Sequence, residues 1–129
     1  MSGTRGIAAV GLGAAVAAAA LNAVVATLAR AAGVDLEVTD GEVIPVSGIA
    51  FVTVVLSVVG LLIAAALARW SSRPVHWWWR TTVALTAVSL VPPFLAASDA
   101  ATAVTLVVLH LLAAAVVVPT VARTLRAPA

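Results

Sequence analysis

Residues 103–121 read AVTLVVLHLLAAAVVVPTV, and the length and content of this run decide the fold class. A helix rises about 1.5 Å per residue, so the run covers about 28 Å, close to the hydrocarbon thickness of a bilayer. Its polar side chains are Thr105, His110 and Thr120. The hydroxyls can bond back to the helix's own carbonyls. An imidazole in lipid needs a partner for each nitrogen, so His110 is expected to face the protein interior. There it acts either as neutral packing glue between helices, the favoured reading, or as a proton or ligand group.

Composition agrees with a membrane location. Of 129 residues, 64% are hydrophobic and 9% charged, and the mean hydropathy is +1.20, too apolar for a soluble domain of this size. There is no cysteine, which excludes disulfides, thiolate metal sites and paired-thiol redox chemistry. Seven arginines and no lysine face five acids, a balance far too slight for a nucleic-acid binder. Alanine and valine dominate and arginine supplies every cation, a bias typical of a high-GC bacterial coding sequence.

Three more apolar runs precede this one, and together they predict a single domain over residues 1–129. The expected fold is all-α: an antiparallel bundle of four transmembrane helices at about residues 6–29, 47–69, 80–97 and 100–122. The first run follows a short head bearing Arg5, and at about 23 residues it is long for the core of a signal peptide, so a retained helix is expected. Gly11, Ala15, Ala19 and Ala23 lie four apart on it, and Gly60, Ala64 and Ala68 repeat that spacing in the second run. Small residues so placed let helix backbones approach closely, within the chain or against a protein partner or second copy.

Between the first two runs, residues 34–38 and 42–46 nearly alternate in polarity around Thr39-Asp40-Gly41, which predicts a short extracytoplasmic β-hairpin or loop. The acids Asp35, Glu37, Asp40 and Glu42 lack the spacing of a calcium loop and read as a solvated face. The segment at residues 69–80, RWSSRPVHWWWR, contains all four tryptophans. Trp70, Arg73, Trp77, Trp78, Trp79 and Arg80 are therefore expected to anchor the protein at the lipid boundary, with membrane lipids as partners. In the third run, Pro92 and Pro93 each remove an amide donor and should kink or end the helix. Asp99 is placed to cap the helix that follows.

Arg5, Arg69, Arg73, Arg80, Arg123 and Arg126 fall on one side of a four-span chain, and Arg30 with all five acids on the other. Positive residues stay cytoplasmic, so both termini are expected inside a bacterial plasma membrane and the acidic loop outside. Counting rise from the outer helix ends places Asn22, Thr53, Ser57, Ser89 and His110 in one layer, roughly 9–15 Å deep. They are expected to form an intramembrane polar cluster. Asp99 cannot pair with His110, since eleven residues of helix separate them by about 16 Å.

With RAAGVDL at residues 30–36 and LHLLAAAVVVPTVAR at residues 109–123, the chain resembles a family of small four-span membrane proteins of unknown function from high-GC Gram-positive bacteria. That resemblance implies a four-helix membrane fold and no established activity. The residues themselves favour a non-enzymatic accessory or interaction subunit. The alternative is a small oligomeric transporter or channel using the cluster around His110. A lipid-active enzyme would need a nucleophile or metal cluster that one deep histidine does not supply, so no catalytic residue, metal or cofactor is expected.

Overall fold

The computed structural model describes residues 2–126, apart from the side chains of residues 2–4 and Asp40. It is helical: α1 spans Ser2–Ala31, α2 Val46–Trp70, α3 Pro74–Ser89, α4 Val91–Ala96 and α5 Ala100–Arg126, with one 3-10 turn at Thr39–Gly41. α1, α2 and α5 are each long and apolar enough to cross a membrane. No strand forms among the described residues.

Local chemistry accounts for the ends. α1 stops where Gly33 takes φ +104°, and the Val34 amide reaches back to the Ala29 carbonyl at 3.0 Å and the Gly33 amide to Arg30 at 3.0 Å. That is the Schellman pattern, for which a residue without Cβ is best suited. α2 closes on the Ser71 amide bonded to Leu67 O, and α3 opens with Pro74 at its first turn, where a missing amide costs nothing. α3 ends at Ser89. Leu90, bonded to Thr86 O and Ala87 O, separates it from α4, which carries Pro92 and Pro93 in its first turn. The predicted kink or early end is thus a break at Leu90, two residues before Pro92, because the proline rings disfavour a continuous helix through the preceding turn. At α5, Asp99 Oδ1 accepts the Thr102 amide at 2.7 Å, a cap on the third helical residue. Pro119 lies inside α5, which continues past the expected end to Arg126.

α1 is the centre of the bundle, packed chiefly between α2 and α5. Its buried face runs Ile7, Ala14, Ala15, Ala18, Ala19, Asn22, Ala26. The small-residue faces picked out in the sequence are largely taken up by this packing. Gly11 approaches α2 so closely that a Cβ there would fall inside the Leu61 side chain, and a Cβ at Gly60 would sit 3.7 Å from Trp78. Two apolar clusters result. One holds Ile7, Ala14, Ala18, Leu61, Ala64, Trp78, Val117 and Val121; the other, toward the α1–α2 loop, holds Ala26, Leu36, Ile49 and Leu109. Large apolar side chains cover the outside of every helix, among them Val16, Phe51, Leu62, Val83, Leu95 and Val104, a surface suited to lipid rather than water.

Candidate functional site

Along α1 and α2 the two apolar clusters are separated by a thin polar layer. Asn22 Nδ2 donates to Thr53 Oγ1 at 3.1 Å, Thr53 Oγ1 donates to Ile49 O at 2.8 Å, and Ser57 Oγ donates to Thr53 O at 2.7 Å. All three residues are buried. Asn22 Oδ1 is also buried, and it has no hydrogen-bond partner among the described residues.

The other two members of the expected cluster are placed differently. Ser89 donates to Leu85 O of its own helix at 2.6 Å and has no bond to Asn22. His110 is half-buried and is joined to no member of the Asn22 network by a hydrogen bond among the described residues. It follows Leu109, which packs with Ala26 and Ile49, so its backbone borders the polar layer. Hydroxyl side chains elsewhere behave alike: Thr82 bonds Trp78 O, Thr105 Ala101 O, and Thr120 Val116 O, each one turn back.

The tryptophan segment divides. Trp70 and Trp77 are exposed, with Arg69 over the Trp70 ring at 5.8 Å and Arg80 over Trp77 at 6.0 Å; Trp79 is half-buried and Arg73 exposed. Trp78 corrects the boundary-anchor expectation. It is 1% exposed, and its Nε1 donates to Val118 O at 2.9 Å. The reason is periodicity: three consecutive tryptophans sit about 100° apart on a helix, so one must face the neighbouring helices.

The α1–α2 loop keeps Asp35 and Glu42 exposed, as the solvated-face reading expects, but it is also docked on the α4–α5 corner, which the sequence does not signal. Ser98 sends both its amide, at 3.0 Å, and its hydroxyl, at 2.9 Å, to Glu37 O. Val38 pairs with Ala97, Thr39 Oγ1 donates to Ala96 O, and Thr102 Oγ1 donates to Asp35 Oδ1. Leu36 is fully buried at φ +55°, a conformation costing a branched residue of order 1–3 kcal/mol, which the surrounding contacts offset. Of the expected hairpin or loop, the segment forms a loop without named strands. One isolated antiparallel bridge, Glu37 with Val43, spans the turn, flanked by the Val38 amide on Glu42 O at 2.8 Å and the Ile44 amide on Leu36 O at 3.0 Å; the pairing goes no further among the described residues. The amide of Glu37, then the Thr102 hydroxyl, hold the Asp35 carboxyl below its ordinary range. Among the described residues no group of three histidines, cysteines or acids could hold a metal.

Residues 2–127 match a family of unknown function, DUF6069. The chain belongs to the DUF6069 family. No curated protein and no solved structure gives a significant match. DUF6069 membership carries no activity with it, so the reading of function comes from the geometry alone.

Proposed function

We propose that this DUF6069 protein is a four-span protein of a bacterial plasma membrane, from a high-GC Gram-positive source, that works as a non-enzymatic accessory or interaction subunit. Loop docking supports the fourth span. The α1–α2 loop touches Ser98, while Ser71 lies at the far end of α2, whose 25 residues measure about 37 Å. A return of α3 and α4 across the same thickness fits this, and Val83, Leu85, Val88, Phe94 and Leu95 on them are exposed and apolar. The arginine distribution supports cytoplasmic ends.

One observation carries the subunit reading. The buried polar side chains Asn22, Thr53, Ser57, Thr82 and Thr102 each make a bond within the chain, across α1 and α2 for Asn22 with Thr53, to the α1–α2 loop for Thr102, and one turn back on their own helix for Ser57 and Thr82, an arrangement that serves packing and offers no reactive pair among them. Since the Gly11–Ala15–Ala19 face is covered, association falls to a second small-residue face of α1: Ala9, Gly13 and Ala17 are exposed, and a Cβ at Gly13 meets open space. A protein partner or second copy packing there fits the small-residue geometry of membrane interfaces. Purification from native membranes in mild detergent tests this. A stoichiometric companion or a defined oligomer that Gly13→Leu disperses supports it; a monomer of unchanged size in both forms contradicts it.

The unpartnered Asn22 Oδ1 favours a second reading, a small oligomeric transporter or channel in which His110 and Asn22 bind a proton or polar solute. His110→Gln and His110→Ala separate the two. A pH-dependent transport phenotype in a stably folded variant supports the transporter; loss of assembly alone supports the subunit.

A further inference from the structure

A groove of about 380 Å³ runs between α3 and α5, lined on one side by Trp79, Val83 and Thr86 and on the other by Ala115, Val118 and Pro119. It reaches Leu90, and beside its other end lies a hollow formed by Trp79, Arg80, Val83 and Ala84. Trp79 and Val83 line both, so the two are adjacent. Small side chains at Ala87, Ala114 and Ala115 leave the space, and the Thr82 hydroxyl points away to Trp78 O, keeping the floor apolar.

Dimensions limit the occupant. Trp79 to Leu90 is about 16 Å of helix, the depth of one leaflet of a roughly 30 Å core. Spread over that length, about 380 Å³ gives a mean cross-section of about 24 Å², against about 80 Å² for a helix 10 Å wide. That section is on the scale of an extended hydrocarbon chain and would seat a helix only partly. Charge selects the headgroup. Arg80 stands at the mouth, held over Trp77, with Arg69 and Arg73 just before it, and no acid occurs between Glu42 and Asp99. Arg80 is the charged residue lining that hollow, and it suits a phosphate.

We infer that this groove is a binding site for one anionic phospholipid of the cytoplasmic leaflet, its acyl chain lying between α3 and α5 and its phosphate on Arg80. The inference rests on the four-span reading above, which puts α3 and α4 in the membrane.

Native mass spectrometry of the detergent-solubilised protein, given equal phosphatidylglycerol and phosphatidylcholine, tests the site independently of orientation. The wild type should retain one phosphatidylglycerol in preference to phosphatidylcholine. Arg80→Gln should lower that preference about fivefold, the loss of one arginine beside an anionic headgroup. Ala115→Phe, which fills the groove from an exposed position, should release both lipids while circular dichroism stays unchanged. Equal retention of the two lipids by the wild type would overturn the inference. So would variants that bind as the wild type does, or disulfide capture of a partner's helix by Ala87→Cys.

Discussion

Thr102 Oγ1 donates to Asp35 Oδ1 at 3.0 Å across 67 residues of sequence, tying the loop after α1 to the first turn of α5. Thr102 is fully buried, and its amide is bonded to Asp99, so a single residue joins the helix cap to the loop clasp.

Thr102→Val should therefore loosen the loop without unfolding the bundle. Loss of one hydrogen bond to a charged acceptor is worth about 1.5–3 kcal/mol where it is sheltered and less at an exposed carboxylate. Faster amide hydrogen exchange at Leu36, Val38 and Ile44 is the expected readout, with exchange in the middle of α1 unchanged.

The same clasp should respond to acid in a defined direction. Asp35 is held below its ordinary value by the Glu37 amide and the Thr102 hydroxyl, so its contribution is fully present above the unfolded-state value near 3.9. It is lost only as pH falls through the lower folded value. Loop protection should persist from pH 7 to about 5 and decline below about 4. Asp35→Asn should lose protection already at pH 7 and flatten that dependence, as measured by hydrogen exchange at each pH.

Asn22 and Thr53 should be energetically coupled. Interhelical hydrogen bonds in membranes average about 0.6 kcal/mol and reach about 1.7, so a double-mutant cycle with Asn22→Leu and Thr53→Val is expected to give a value in that range. Additive effects would mean that the bond contributes nothing to stability.

Two tryptophans one residue apart should behave differently. Trp78→Ala empties a core site and frees the Val118 carbonyl, so a loss of about 3–5 kcal/mol is expected. Trp77→Ala, at an exposed ring, should cost far less in detergent. Reversible unfolding in mixed micelles measures both.

Much of this architecture is legible in the residues, and the parts that are not have physical causes. Long apolar runs declare α1, α2 and α5 because lipid requires every backbone group to be satisfied within the helix. The depth count brings Asn22, Thr53 and Ser57 to one level, where two of them do bond. It could not tell that Ser89 bonds Leu85 on its own helix, since depth ignores rotation about the helix axis. The docking of the loop was hidden for a different reason: Leu36 at φ +55° is stabilised by tertiary contacts, which local turn chemistry does not reveal. The burial of Trp78 could have been anticipated, because a run of three indoles cannot keep every ring on one face.

The central claim, that α3 and α4 carry the chain back across the bilayer with the acidic loop outside, is tested most directly by single cysteines in this cysteine-free chain. Thr39→Cys, Ser72→Cys and Ser98→Cys would be treated in intact cells with a membrane-impermeant maleimide. Labelling of positions 39 and 98 from outside, with position 72 reached only after permeabilisation, is the expected result. Labelling of 72 and 98 from the same side would contradict it.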